Sequence, residues 1–145
     1  GAVGVIKVGA NSKVELKEKK DRVEDAIYAT KAALREGIVP GAGIALHNAA
    51  DSIKTDVATE QILLEAVKAP YKTILDNAHI SYGPNMKEGH GINVVTGKSV
   101  DLVKEGIIDP VLVTKTALIN AVSVATTILS ANCVISNIRI NESGK

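Results

Sequence analysis

The sequence predicts a mainly α-helical fold with small β elements. Apolar residues recur at helical spacing in the longer stretches, and the β-branched segments between them are short. The 145 residues suffice for about one domain, and 46% hydrophobic against 23% charged residues excludes an acidic disordered tail and a coiled coil. The aromatic residues are three tyrosines, so the core is expected to consist almost entirely of Ala, Val, Ile and Leu.

The N-terminal part is predicted to form small strands and then a helix. Residues 2–8 are β-branched and Gly-rich, and residues 13–16 follow a turn signal, which favours a short hairpin or two small strands. Residues 17–22 are all charged, and apolar residues then recur with the spacing of an amphipathic helix that Gly37 ends. The charged run is interpreted as the solvated first turn of that helix.

The middle of the chain is predicted to hold two helical stretches separated by a glycine-rich break. Residues 37–43 are the strongest break in the sequence, and a helix is expected to follow them to about Ile53. A further helical stretch spans roughly residues 59–78. Because Pro70 lies inside this stretch and removes one helical hydrogen bond, a kink or break is expected near residues 68–69.

After a polar loop, the last third is predicted to contain short elements and one long helix. A short strand is expected at residues 92–96 and a helical turn at 100–105. The helix expected over about 112–131 is apolar on most faces, so it should lie in the centre of the fold. Residues 133–138 are predicted as a last strand, in which Cys133 would be a small buried hydrophobe.

Charge and cysteine content exclude several function classes. The net charge is +1, from 17 basic and 16 acidic residues, which leaves no electrostatic footprint for nucleic acid or an anionic membrane. No apolar run reaches the roughly 18 residues of a membrane span. Partners are therefore expected to include neither nucleic acid nor membrane. The single cysteine excludes a disulfide within the chain and favours a reducing compartment.

Two glycine motifs resemble sites that bind anions. Residues 96–99, Thr-Gly-Lys-Ser, resemble the close of a P-loop, but that motif needs glycine where Ile92 stands, so a strand followed by a turn is favoured. The Gly41-Ala42-Gly43 loop opens a helix, and its N–H groups could bind an anion or a sugar hydroxyl. Because a helix precedes this loop, a connection between two helices is the preferred interpretation on residue patterns alone.

Two aspartates have both a chemical and a structural interpretation. Asp25 could position or polarise a water molecule, or it could only complement the macrodipole near a helix N-terminus. Asp109, before a proline, could form an Asx-type turn ahead of a helix or bind a hydroxyl group. His47, His79 and His90 share no metal-ligand spacing, so structural or solvent-exposed roles are expected for them.

Three segments together resemble one family. Residues 3–9 (VGVIKVG), 17–26 (KEKKDRVEDA) and 106–110 (GIIDP) are similar, in this order and spacing, to the C-terminal part of a group I chaperonin subunit, the GroEL family. The similarity is collinear from Gly1 to about Ile138. It implies a multihelical half of the chaperonin equatorial domain plus part of the intermediate domain, with residues 1–36 in the intermediate domain and 37–145 in the equatorial ATP-binding domain.

The resemblance also implies an activity and its residues. It implies that the intact subunit is an ATPase that drives protein folding, with Asp25 as the catalytic residue that aligns the water attacking the γ-phosphate. Asp109 would hold the ribose of ATP, Asn93 would contact the adenine side and Ile107 would pack against the base. The full set of nucleotide-binding positions implied is Ala42, Asn93, Val94, Val95, Ile107 and Asp109.

Cofactors and partners follow from the same resemblance. ATP and magnesium are the implied cofactors, with the magnesium ligands outside these 145 residues. The implied assembly is a homo-oligomer of stacked heptameric rings in the cytoplasm of a bacterial-type cell or in an organelle matrix. Co-chaperonin and non-native client proteins would bind through an apical domain that this chain lacks, so the chain alone is expected to be inactive. The alternative is a stand-alone helical assembly or interaction module without ATPase activity.

The sequence differs from the family pattern at Ala42, at Lys13 and at its C-terminus. The family has three glycines where this sequence has Gly41-Ala42-Gly43, so a positive φ at Ala42 would cost about 1 kcal/mol. Lys13 replaces a commonly acidic residue, which removes an expected ion pair between subunits. The start without an initiator Met and the absence of a Gly-Met-rich tail indicate a piece of a longer, divergent protein.

Overall fold

The computed structural model describes residues 2–81, 83 and 87–135 and shows a mainly helical fold with two small antiparallel sheets, as predicted. Its elements, in chain order, are α1 (Lys13–Glu36), β1 (Ile38–Pro40), α2 (Ile44–Ser52), α3 (Ala58–Val67), α4 (Ala69–Asn77), β2 (His90–Asn93), β3 (Lys98–Asp101), β4 (Ile108–Pro110) and α5 (Val111–Leu129).

Helix α1 begins earlier than expected, and the predicted N-terminal strands are absent from the described residues. Residues 2–10 have no regular secondary structure, and residues 13–16 form the first turn of α1. The side chain of Ser12 accepts the Glu15 N–H (3.2 Å), and the Glu15 carboxylate accepts the Asn11 N–H (3.1 Å). These bonds satisfy donors that a helix start leaves unpaired, and they outweigh the β propensity of Val14. Gly37, at φ 85°, ends the helix as predicted.

Strands β1 and β4 form a sheet that joins residues about 70 positions apart. Val39 lies opposite Asp109, and Ile38 opposite Pro110. Helix α1 packs against β4 and against the start of α5, where the Lys115 ammonium lies 2.6 Å from the Glu36 carboxylate. The glycine-rich break between α1 and α2 therefore carries a strand that the sequence pattern did not predict.

The helical stretch after α2 is broken where Pro70 predicted it. Helix α3 ends at Val67 and α4 starts at Ala69, with Lys68 between them and Pro70 in the first turn of α4. A proline at that position loses no helical hydrogen bond, because the first N–H groups of a helix have no partner within it. Helix α2 ends at Ser52, close to the predicted end.

The predicted elements after residue 90 are shifted. Strand β2 covers His90–Asn93 instead of residues 92–96, and residues 94–97 form the turn to β3. The helical turn predicted at 100–105 is wrong at its first two residues, because Val100 and Asp101 pair in β3 with Gly91 and His90. The Thr-Gly-Lys-Ser segment is thus a hairpin turn running into a strand, and Gly97 adopts φ 68° there.

The core is small and lies where α2, α4 and the β2–β3 hairpin meet. Its fully buried side chains are Ile44, Tyr71, Leu75 and Leu102. The Tyr71 hydroxyl also accepts the Ile92 N–H at 3.3 Å, which ties β2 to α4. A buried tyrosine needs such a partner for its polar end.

Helix α5 covers the predicted range but is not central. None of its 19 residues is buried, and residues 119–129 are all exposed. Among the described residues it is the one helix that could cross a membrane by length and composition, which by itself is weak support for a span. Cys133, expected to be buried in a strand, is exposed, and residues 131–135 form no strand. The remainder of the predicted strand, 136–138, lies outside the described residues.

Candidate functional site

The turn at residues 41–43 is held tightly by two other parts of the chain. Gly41 donates its N–H to the carbonyl oxygen of Ile107 (2.9 Å), and a Cβ on Gly41 would lie 3.1 Å from the Ile108 nitrogen. Gly43, at φ 76°, precedes α2, and a Cβ there would lie 2.9 Å from the Tyr71 nitrogen. A Cβ at Gly43 would force the α4 backbone to shift, and a Cβ at Gly41 would make an unusually tight contact with β4, so the turn is closely packed on both sides.

Ala42 occupies the backbone conformation that favours glycine. Its φ is 55°, in the left-handed region, and the residue is half-buried between the two constrained glycines. Ala42 therefore has the positive φ that would make glycine the favoured residue here. The alanine costs about 1 kcal/mol relative to glycine.

Asp109 lies in β4 beside a cleft of about 160 Å³. Ala29, Thr30 and Ala33 of α1 line the opposite side of this cleft. Burial raises the pKa of the Asp109 carboxyl above its ordinary value. The side chain does not cap α5, so the structure does not support the Asx-turn interpretation. A half-buried carboxylate at the wall of a cleft can accept hydrogen bonds from a hydroxyl group.

The residues implied to surround a nucleotide base lie at two places. Ile107 is half-buried, packs against the core and forms the link to Gly41 described above. Asn93 ends β2, and its side-chain oxygen accepts the Val95 N–H at 3.0 Å. Val94 is 41% exposed and Val95 is 90% exposed. These two valines therefore lie at an exposed hairpin turn next to Asn93.

Asp25 lies on α1, exposed to solvent. It is four residues before Ala29, which lines the cleft beside Asp109, so the two residues share one face of the helix about 6 Å apart along the axis. The helix therefore presents Asp25 one turn away from the Asp109 cleft. Asp25 is the thirteenth residue of α1, well past its first turn, which weakens the interpretation that it only complements the helix dipole.

The structure thus brings together Ala42, Ile107 and Asp109, through the Gly41 hydrogen bond and the β1–β4 pairing. Asp25 is on the helix packed against this sheet. Asn93 belongs to the β2–β3 hairpin, and the neighbouring Ile92 packs against the same buried cluster as Ile107. Long-range strand pairing, which no local pattern signals, creates this grouping.

One polar cluster was missed by the sequence reasoning. Buried His47 in α2 places its Nδ1 3.3 Å from the Asp51 carboxylate and stacks edge-on against Tyr71. Lys68, between α3 and α4, lies 2.5 Å from the other Asp51 oxygen and lowers the pKa of that carboxyl by its hydrogen bond. The i, i+4 spacing of His47 and Asp51 was the available signal. The cluster fastens α2 to the α3–α4 junction.

The groups around Asp109 fit only part of an ATP molecule. The cleft beside Asp109 is smaller than the roughly 300–1,000 Å³ of a complete ligand pocket, and its lining contains no cationic side chain for phosphate. It fits a sugar-sized part of a nucleotide. Within the described part of the chain, no three His, Cys, Asp or Glu residues are grouped so that they could hold a metal ion.

Comparison with known families identifies the fold. The model of the TCP-1/cpn60 chaperonin family matches residues 1–139, nearly the whole chain. The chain belongs to the TCP-1/cpn60 chaperonin family. It therefore has a chaperonin-related role, in a family whose members are in general magnesium- and ATP-dependent, oligomeric and active on client proteins.

Proposed function

We propose that this chain is the C-terminal part of a group I chaperonin subunit that binds and hydrolyses ATP to drive protein folding. Residues 1–36 would belong to the intermediate domain and residues 37–145 to the equatorial domain. The subunit would assemble into stacked rings in the cytoplasm of a bacterial-type cell or in an organelle matrix. The observation that carries the proposal is the sheet that places Asp109 beside the 41–43 turn and under α1.

The proposed nucleotide contacts follow from this grouping. Asp109 would accept hydrogen bonds from the ribose hydroxyls, since its half-buried carboxylate lines a cleft of suitable size. Ile107 would contact the base through its apolar side chain. The backbone of the 41–43 turn would lie close to the nucleotide, since the bond from the Gly41 N–H to the Ile107 carbonyl holds this turn beside β4. Asn93 and the exposed valines after it would cover the adenine from the hairpin side.

Hydrolysis would depend on Asp25. A carboxylate that orders a water molecule for attack on phosphorus must be brought to the phosphate, and Asp25 lies on a helix that could move as a unit. The side chain of Asp25 is exposed to solvent. The phosphate and magnesium ligands are proposed to come from residues that precede this chain in the intact subunit.

A second candidate is supported by a different observation. The exposed apolar face of α5 is typical of a protein that associates with another apolar surface. The chain would then be an assembly or interaction module of chaperonin origin without ATPase activity. Ala42, in a strained conformation where the family has glycine, is compatible with a site that no longer binds nucleotide.

A chimeric chaperonin distinguishes the proposed ATPase from an interaction module without ATPase activity. This chain replaces the corresponding C-terminal segment of a characterised group I chaperonin, and nucleotide affinity is measured by calorimetry with magnesium. We expect ATP binding, and we expect Asp109→Ala to weaken it at least about 10-fold by removing the ribose contact. Asp56→Ala, at an exposed site outside the sheet, should leave affinity unchanged. A folded chimera whose affinity is unaffected by Asp109→Ala would contradict the proposed site.

A further inference from the structure

Tyr71 is a buried residue that is not among the proposed nucleotide contacts. Its side chain lies in the core where α2, α4 and the β2–β3 hairpin meet, and its hydroxyl oxygen accepts the Ile92 N–H at 3.3 Å. Because Ile92 directly precedes Asn93, this bond joins α4 to the strand that carries the proposed adenine contact. A leucine or phenylalanine would fill the core without a hydroxyl group, which costs free energy to bury unless it is hydrogen-bonded. The hydroxyl therefore contributes direction rather than apolar burial.

The backbone of the same residue lies against the 41–43 turn. A Cβ on Gly43 would come within 2.9 Å of the Tyr71 nitrogen, so the turn and the first residues of α4 are in close contact. Tyr71 thus touches the turn through its backbone and the hairpin through its hydroxyl. The turn and Asn93 are two parts of the proposed site that are distant in sequence. One buried aromatic residue connects them.

Neighbouring polar residues orient the Tyr71 ring. His47 is itself buried and meets this ring edge-on, with the ring centroids 5.7 Å apart and the planes at 76°. Edge-to-face pairs of this kind are favourable because the positive edge of one ring meets the negative face of the other. The Asp51 carboxylate lies 3.3 Å from His47 Nδ1, and it is held in turn by Lys68. These contacts keep the Tyr71 hydroxyl aimed at β2.

The hydrogen bond from Ile92 is the directional part of the contact between the hairpin and the core. Gly91 packs closely on the core, since a Cβ there would lie 2.8 Å from Leu102 and 2.9 Å from Ile44. Such apolar contacts press the hairpin against the core but do not depend on direction. A hydrogen bond weakens steeply when its angle departs from linear. The bond to Tyr71 therefore fixes where β2, and with it the next residue, lies.

We propose that Tyr71 is a positioning residue that holds Asn93 and its hairpin at a fixed place relative to the 41–43 turn, and so keeps the adenine end of the site in its binding geometry. The inference rests on the proposed function, because it requires the hairpin to cover the base. Loss of the hydroxyl should let the hairpin shift, which lowers the fraction of molecules that are competent to bind adenine. The ribose contact at Asp109 lies in β4 and should keep its affinity.

The test compares two ligands of the chimera that carries this chain. ATP contains adenine, whereas ribose 5-triphosphate lacks a base, and both affinities are measured by calorimetry with magnesium. Tyr71→Phe should weaken ATP binding about 5-fold, as expected for one hydrogen bond, and leave ribose 5-triphosphate within about 1.5-fold. Tyr28→Phe removes a hydroxyl from an exposed ring on α1 and should change neither affinity. Asp109→Ala should weaken both ligands, because both contain the ribose.

Hydrogen exchange gives a second measurement that does not require a nucleotide. Peptides that cover residues 90–93 should exchange faster in Tyr71→Phe than in the unsubstituted chimera, because the Ile92 N–H has lost its acceptor, and peptides of α1 should be unchanged. Faster exchange together with selective loss of ATP affinity supports the inference.

The contradicting results separate the inference from the proposed function. Equal weakening of both ligands by Tyr71→Phe would overturn the inference, because it would show that the tyrosine only stabilises the fold. An unchanged ATP affinity or unchanged exchange at residues 90–93 would also overturn it. A folded chimera that binds no ATP, or whose affinities do not respond to Asp109→Ala, would overturn the proposed function and the inference with it.

Discussion

Gly43 packs so closely on Tyr71 that a methyl group on its Cα would lie 2.9 Å from the Tyr71 backbone nitrogen. Gly43 also precedes the first residue of α2 with a φ of 76°, so it connects the 41–43 turn to the core through one close contact. The neighbouring Gly41 is bonded to Ile107, which places the turn between α4 and β4. The position of the proposed nucleotide contacts therefore depends on packing at Gly43.

The contribution of this contact can be measured against a glycine of similar conformation. Gly97, in the β2–β3 turn, has φ 68° and open space around the position of a Cβ. Gly97→Ala should cost about 1 kcal/mol of unfolding free energy, from backbone strain alone. Gly43→Ala should cost at least about 2 kcal/mol more, because the backbone of α4 must shift to admit the methyl group. Equal costs in urea denaturation would show that the Gly43–Tyr71 packing is loose.

Ala42 leads to a prediction of the opposite sign. Ala42→Gly should raise the free energy of unfolding by about 1 kcal/mol, because it releases the strain of a φ of 55°. Ala49→Gly, at an exposed position inside α2, should lower it by about 1 kcal/mol through lost helix propensity. Thermal and urea denaturation of both variants provide the check. A destabilising Ala42→Gly would mean that the turn does not hold this residue in the left-handed region.

Stability should depend on pH through Asp109. Burial raises the folded-state pKa of the Asp109 carboxyl above 3.8. Its contribution to the free energy of unfolding is therefore complete below pH 3.8, and it is lost as pH rises through the folded-state pKa, because the charged form is destabilised by burial. Asp109→Asn should therefore stabilise the fold at pH 7 and have little effect at pH 3. Asp101 is the matched control, since the Lys104 N–H bonded to it lowers its pKa. Asp101→Asn should destabilise at pH 7, and an unchanged pH profile for Asp109→Asn would contradict the burial of this group.

Local signals predicted the helical framework well. Pro70 located the α3–α4 break, Gly37 located the end of α1, and the apolar periodicity located α5. The predicted start of α1 was wrong because the β propensity of residues such as Val14 was taken as a stronger signal than the capping residues Ser12 and Glu15. Their Ser-x-x-Glu spacing is a capping signature that was available in the sequence.

The grouping at the candidate site could not be predicted from local patterns. Strands β1 and β4 are three residues long, and each is stabilised by pairing with the other across about 70 residues. The resemblance named Ala42, Ile107 and Asp109 together, but only the pairing explains how the chain places them together. The exposure of α5 was likewise missed, because periodicity shows that a face is apolar without showing what covers it.

The central claim, that this chain carries the catalytic carboxylate of a chaperonin ATPase, is tested most directly at Asp25. In the chimera described above, steady-state hydrolysis and ATP affinity are measured for Asp25→Ala and for Asp21→Ala, which removes an exposed carboxylate one turn earlier on α1. We predict that Asp25→Ala slows hydrolysis at least about 10²-fold while ATP affinity stays within about 2-fold, and that Asp21→Ala changes neither. Equal hydrolysis by the two variants and the unsubstituted chimera would contradict the account.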